Sequence, residues 1–357
     1  MKRCLAVLSL AAVTAGCAGD PPDGRAPVTL TGAGASFPMP LIALWASEYE
    51  AETGDRVNYN SIGSGGGIRA HIDGTVDFAA TEAPLNAEQY ERALGTLTIP
   101  FTIGTVTLAY NVPGVERLQL TGEVVAEMFL GTILRWNDSR IQELNPGIRL
   151  PDEPMVVAHR SDGSGTTFVF TDYLSKVSPR WRDRVGSATS VAWPTGIGGN
   201  GNEGVAGAIR NNPNAIGYIE LSYASNLGLP TAAILNQAGA YVSPSLEAGT
   251  AAASAAVQSL PSGHEHWTRV SFTDPEGVDS YPLSSFSYFI LYEELDRLAD
   301  MTAERAAAIV RWIEWTVTEG QRYNNDVQNA AVPESVRELN LATLDRVTFQ
   351  GERIRTW

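Results

Sequence analysis

Apolar residues along the chain follow two alternating rhythms. Short runs such as Val28-Thr29-Leu30, Arg56-Val57-Asn58-Tyr59-Asn60 and Val76-Asp77-Phe78-Ala79-Ala80 read as strands. Helical spacing follows the first of them, with Leu41, Leu44/Trp45 and Glu48/Tyr49 behind Pro38 and Pro40, and a short helix is predicted from Ile68 to Asp73. The pattern begins afresh after Gly104, with a strand over 106–110 and a helix over 123–129, then Met155-Val156-Val157-Ala158 and a helix over 167–174. Residues 286–292 form a strongly apolar strand candidate, and 301–319 a helix with Ala307, Val310, Ile313 and Val317 on one face, ended by Gly320. Residues 231–256, rich in Ala, Ser and Thr, are weakly patterned and read as a solvent-facing excursion. Strand and helix alternating in this way predict an α/β fold.

Glycine- and hydroxyl-rich turns stand between strand and helix: Gly32-Ala33-Gly34-Ala35-Ser36-Phe37, Gly63-Ser64-Gly65-Gly66-Gly67 and Arg160-Ser161-Asp162-Gly163-Ser164-Gly165-Thr166. Backbone N–H groups at a helix start have no intrahelical acceptor and lie at the positive end of the peptide dipoles, so such starts brought together would surround a small oxyanion. The hydroxyls of Ser36, Ser64, Ser164 and Thr166 add donors, and Arg160 adds a full positive charge. Glu82, just past the third strand, places a carboxylate at the edge where ligands collect in open α/β sheets.

A length of 357 residues predicts two domains. The net charge of −15 excludes a nucleic-acid partner, since no basic stripe is present to displace counterions from phosphates. That acidity does not forbid a small anion, because surface charges beyond about 10 Å are screened while donors in contact are not. Both cysteines lie within the first 17 residues. Residues 1–16, with Lys2-Arg3 before an apolar run, read as an export signal, too short to remain as a membrane span. Thr14-Ala15-Gly16-Cys17 resembles a bacterial lipobox, which predicts acylation at Cys17; plain signal cleavage is the alternative. Residues 17–27 read as a tether. The Gly196-Ile197-Gly198-Gly199-Asn200-Gly201 stretch follows Trp193-Pro194 rather than an apolar strand, so it reads as a structural loop and no dinucleotide site is inferred. His264-Glu265-His266 lacks further clustered ligands for a metal, and no cofactor is expected.

Several motifs carry a resemblance to a known family. They are Thr31-Gly32-Ala33-Gly34-Ala35-Ser36-Phe37-Pro38, Ile62-Gly63-Ser64-Gly65-Gly66-Gly67, Val76-Asp77-Phe78-Ala79-Ala80-Thr81-Glu82-Ala83-Pro84 and Asp162-Gly163-Ser164-Gly165-Thr166, with Trp193-Pro194, residues 196–204 and Ala215-Ile216-Gly217-Tyr218 in support. Together they resemble the phosphate-binding proteins of bacterial high-affinity phosphate ABC transporters, which are class II periplasmic binding proteins. The resemblance implies two α/β lobes joined by crossing strands, lobe 1 being residues 28–104 and 282–357 and lobe 2 residues 105–281, with inorganic phosphate in the cleft. It implies delivery to an inner-membrane permease with its own ATPase subunit, and a periplasmic or cell-surface location. Carried over residue by residue, Ser36 supplies backbone and hydroxyl donors, Phe37 a backbone donor, and Ser64 both kinds. Arg160, Ser164, Gly165 and Thr166 contact the anion from the other lobe, and Asp162 holds the Arg160 guanidinium. Glu82 stands where the family pattern has Asp, so its placement is the point of departure.

The chemistry suits that ligand. Phosphate keeps a proton near neutral pH, its second pKa being about 6, whereas sulfate carries none. Glu82 can accept that proton's hydrogen bond but would meet only lone pairs on sulfate, so part of the selectivity is repulsive. Charge-assisted hydrogen bonds contribute about 1.5–3 kcal/mol each, and five or six support binding at about micromolar or tighter. Gly163 and Gly165 are expected to let the backbone approach an oxygen closely and to adopt positive φ. The alternatives are a secreted phosphate-ester hydrolase with Ser164 as nucleophile, or a receptor for another tetrahedral oxyanion. Asp162 occupies the first glycine position of a G-x-S-x-G elbow, which disfavours the hydrolase, and a receptor for an unprotonated oxyanion gives Glu82 no purpose.

Overall fold

A computed structural model describes residues 25–257 and 260–354; the export-signal and Cys17 expectations lie outside these. The strands of the two larger sheets, in chain order, are β1 (Thr29–Gly34), β2 (Arg56–Ser61), β3 (Phe78–Thr81), β4 (Thr96–Asn111), β5 (Gln119–Leu120), β6 (Val156–Arg160), β7 (Ile197–Gly199), β8 (Ala215–Glu220), β9 (Ala233–Leu235), β10 (Tyr241–Val242) and β11 (Ser284–Tyr292). Eight of them form one sheet in the order β2-β1-β3-β11-β4-β8-β6-β7, and β10-β9-β5 form a small second sheet.

The register explains where a site can form. β1, β2 and β3 are mutually parallel, as are β6, β7 and β8. Between the groups run β11 and the 16-residue β4, antiparallel to each other. β4 pairs with β11 through Thr96 to Thr105 and with β8 from Val106, which faces Glu220, to Asn111. β3 enters the same frame with Thr81 opposite Tyr288. The carboxyl ends of both parallel groups therefore converge from opposite directions on the middle of β4, and the loops and helix starts that follow them meet there.

Each half has its own core. Leu30, Trp45, Phe78, Leu97, Phe289, Trp312 and Ile313 pack together on one side, and Leu108, Val125, Phe129, Trp136, Phe170 and Ile216 on the other. Phe37 follows β1 yet packs into the second core, its ring seated where a Cβ on Gly104 would come within 2.2 Å of it. Glycine at 104 thus lets one half insert an aromatic ring against the strand leading to the other.

The structure moves several predicted boundaries. The helix after β2 begins at Ser64 rather than Ile68, because its glycines allow the first turn to lie against β1: a Cβ on Gly67 would sit 2.5 Å from the Gly34 Cα. The strand at 106–110 is the second part of β4, continuous through Gly104. Residues 231–256 are no solvent-facing excursion: β9 and β10 pair, and Leu246–Ala256 is a helix with Ala252 and Ala253 buried. Alanine and glycine give weak hydrophobic contrast but permit close packing, and a Cβ on Gly249 would stand 2.9 Å from Thr105 Oγ1. Gly320 does not end the Ala303–Val317 helix in a left-handed cap; a 3₁₀ segment, Glu319–Val327, continues past it. Its carbonyl accepts the Trp45 indole N–H at 2.7 Å, and a Cβ there would press on the Trp315 ring at 2.9 Å.

Candidate functional site

Arg160 is the last residue of β6 and is 3% exposed. Two hydrogen bonds fix its guanidinium, Nε to Asp162 Oδ1 at 2.7 Å and Nη2 to Asp162 Oδ2 at 2.5 Å, the bidentate geometry that suits a planar cation. Nη1 donates to Thr166 Oγ1 at 3.2 Å. Burial opposes ionisation of Asp162, yet the hydrogen bonds and charge of Arg160 outweigh it and hold the carboxyl below its usual range. The Gly201 N–H also donates to Asp162 Oδ1 at 3.2 Å. Behind the arginine, its backbone N–H donates to the Tyr218 hydroxyl at 3.0 Å, which in turn bonds Thr167 Oγ1 at 2.7 Å.

Facing this cation across the middle of the sheet is Glu82, 1% exposed. Ser287 Oγ donates to Oε1 at 3.0 Å and Ser64 Oγ to Oε2 at 3.2 Å. Burial pushes its carboxyl up to about 7, against the lowering effect of those hydroxyls and of the Arg160 charge. At neutral pH the group is divided between its acid and carboxylate forms. The longer side chain is accommodated by a missing one, since a Cβ on Gly165 would lie 2.1 Å from Glu82 Oε2 and 2.6 Å from Ser64 Oγ.

The two halves touch through these turns. Gly165 N–H donates to Ser64 Oγ at 3.0 Å, and Gly65 N–H to the Gly163 carbonyl at 2.9 Å. Gly163 and Gly165 do not have positive φ, contrary to expectation. Their glycine identity serves close approach instead: a Cβ on Gly163 would stand 3.1 Å from the Gly65 Cα. Ser36 Oγ accepts from the Asn202 N–H and from Asn202 Nδ2, both at 3.0 Å, and its carbonyl accepts from the Tyr223 hydroxyl at 2.7 Å.

Comparison with known proteins bears on this constellation. The PBP superfamily domain matches residues 21–319. A phosphate-binding protein PstS from Pasteurella multocida is 43% identical over 310 residues, 86% of this chain and 87% of that one. Another from Methanocaldococcus jannaschii is 34% identical over 96% of this chain and 92% of its own. The chain belongs to the PstS family. A solved high-affinity periplasmic phosphate-binding protein, described as bound with phosphate, shares the fold with a TM-score of 0.70 at 17% identity, covering 90% of this chain and 99% of that one.

In this PstS chain Ser36, Phe37, Ser64, Glu82, Arg160, Ser164, Gly165 and Thr166 are all buried and all lie at the convergence on β4, with Asp162 half-buried beside Arg160. Ser164 is set apart by its side chain, which caps the Gly165–Val177 helix by accepting the Thr167 N–H at 3.0 Å. Sequence reasoning passed over Asn202, Glu220, Tyr223 and Ser287. The 196–201 stretch is not merely a loop: Gly199 ends β7 and Gly201 opens the helix Gly201–Asn211, with Asn202 reaching into the site. The signal was there, a further glycine-marked helix start, but a three-residue strand after Trp193-Pro194 gives no apolar run to announce it. Glu220 ends β8 fully buried; its carboxylate accepts from the Ser222 N–H at 2.9 Å and from the Ser222 hydroxyl, and burial with the neighbouring Glu82 pushes it up to about 8.

Proposed function

We propose that this protein captures hydrogen phosphate in the periplasm and hands it to an ABC permease. The observation that supports this most is the pairing, in one buried space, of a clamped guanidinium with a carboxyl group near 7: Arg160 meets the anion's charge and Glu82 takes the hydrogen bond from its remaining proton. Ser36 and Thr166 supply hydroxyl donors to the other oxygens, and Phe37 lends its backbone N–H while its ring anchors the turn; the Gly165 N–H and the Ser64 hydroxyl, which here donate to Ser64 Oγ and Glu82 Oε2, exchange those bonds for the anion when it binds. Ser164 holds the turn rather than the anion in this structure, since its backbone N–H donates to the Thr189 carbonyl at 2.8 Å and its hydroxyl oxygen caps the following helix. As a PstS-family chain it is a binding protein rather than an enzyme, and the capped hydroxyl of Ser164 is poorly placed to serve as a nucleophile.

Residues 28–104 with 282–357 would form one lobe and 105–281 the other, swinging about β4 and the entry to β11; the antiparallel pair at the centre of the sheet supports this hinge. The permease and its ATPase subunit are the inferred partners, and an acyl group on Cys17 the inferred tether. No helix among the described residues is long and apolar enough to cross a membrane.

Calorimetric titration with phosphate, beside an assay with a phosphomonoester, tests the function. One phosphate bound per chain at about micromolar Kd or tighter, without ester turnover, is expected. Turnover, or no phosphate binding, would refute it.

A further inference from the structure

Asn202 lies fully buried near the start of the Gly201–Asn211 helix, and every polar atom of its side chain is engaged. Oδ1 accepts the Glu220 backbone N–H at 3.0 Å, which fixes which way round the amide lies. The Nδ2 hydrogens then go to Ser36 Oγ at 3.0 Å and to Thr166 Oγ1 at 3.2 Å. Each hydroxyl also accepts a second bond, Ser36 from the Asn202 backbone N–H at 3.0 Å and Thr166 from Arg160 Nη1 at 3.2 Å. A hydroxyl oxygen offers two lone pairs and one proton, so the acceptor capacity of both is filled and only their O–H groups are left to give.

We propose that Asn202 is a positioning residue that sets the polarity of Ser36 and Thr166, making both hydroxyls pure donors and leaving Glu82 as the acceptor for the ligand's proton. The inference rests on the phosphate reading. Thr166 shares its half of the sheet with Asn202, so its polarity is fixed at all times. Ser36 follows β1, on the far side of β4, so its hydroxyl is locked only when the two halves meet. Closure thereby turns an ambivalent hydroxyl into a donor. With Ser36 and Thr166 removed as acceptors and Glu82 the carboxylate that takes a ligand proton, dibasic phosphate, carrying one, matches the site. Monobasic phosphate, carrying two, leaves one O–H facing a donor, and a donor left without its partner in a buried site loses affinity.

Removing Asn202 should relax that preference. Phosphate affinity is measured by calorimetry at about pH 8 and about pH 5, on either side of the second phosphate pKa of about 6. The groups that face this hydroxyl pair and titrate or carry charge are Glu82, Glu220, Arg160 and Asp162, with the phenols of Tyr59, Tyr218 and Tyr223. They are present in both proteins, so the variant-to-parent ratio at each pH removes most of their contribution. Asn202→Ala is expected to weaken binding about tenfold at the higher pH and about threefold or less at the lower, where freed hydroxyls accept the second proton. An equal loss at both, or none, would overturn the proposal. Asn202→Asp keeps the shape and the Glu220 contact but presents an oxygen to the hydroxyls, drawing their protons away from the ligand. It should bind at least about tenfold more weakly than Asn202→Ala at the higher pH, and affinity equal to the parent would also overturn the proposal. Should the parent itself bind no phosphate, the functional reading falls; should the parent bind and the variants show a flat ratio, only the role of Asn202 falls.

Discussion

Arg160 and Glu82 bring opposite charges into one buried space, and their surroundings treat those charges differently. The guanidinium has a dedicated counter-ion in Asp162, so its charge is neutralised before any ligand arrives and its geometry is set in advance. Glu82 has the Ser64 and Ser287 hydroxyls, its own backbone N–H and the charge of Arg160, and burial still keeps its acid form in play. Arg160→Ala would leave Asp162 without its partner and the anion without its cation, and calorimetry should show phosphate affinity falling by at least about tenfold. Unchanged affinity would remove Arg160 from the site. Glu82→Gln replaces an acceptor with an amide that can also donate, so sulfate gains more than phosphate. The phosphate-to-sulfate preference should drop by at least about tenfold in competition binding, and a preserved ratio would deny Glu82 its role.

The recurring strand–turn–helix unit is what gathers these residues, and glycine is its working part wherever two turns must touch. Gly165→Ala would drive a methyl group into Glu82 and Ser64. It should raise the phosphate Kd by about a hundredfold by keeping the halves apart, whereas Gly207→Ala, with open space around it, should leave Kd unchanged. Equal affinity for the two variants, followed by tryptophan fluorescence, would contradict that use of Gly165. These units were legible in the chain where a run of apolar residues preceded the glycines, as before Ser36, Ser64, Glu82 and Arg160. The unit carrying Asn202 was not, because a strand of three residues leaves no periodic trace. The helix at 246–256 escaped for a related reason: alanine and glycine pack closely without marking a hydrophobic face. The Asp162 pairing was implied by the family resemblance, but the partners of Ser36 and Thr166 come from distant elements, and local spacing holds no record of them.

Across the whole molecule, two groups of parallel strands run head to head onto β4, and this concentrates buried acids at the junction. Glu82 and Glu220 both have folded-state values raised above the ordinary glutamate range, to about 7 and about 8. Their contribution to stability is therefore complete below that ordinary range and is lost as pH rises through the raised values. His71, buried and lowered to about 3, acts in the other direction but only below the usual histidine range. Between about pH 6.5 and 8.5 the unliganded protein should lose about 3 °C or more of Tm, and Glu220→Gln should flatten that slope. A Tm that is level or rises over this interval, by circular dichroism, would contradict the assignment. The same junction is where a ligand proton is to be received, so the most direct measurement is a crystal structure of the protein loaded with phosphate. A Glu82 carboxylate oxygen about 2.7 Å from one ligand oxygen, with Arg160 and the hydroxyls on the others, is the predicted result. A Glu82 side chain turned away from the anion, with every ligand oxygen met only by donors, would contradict it.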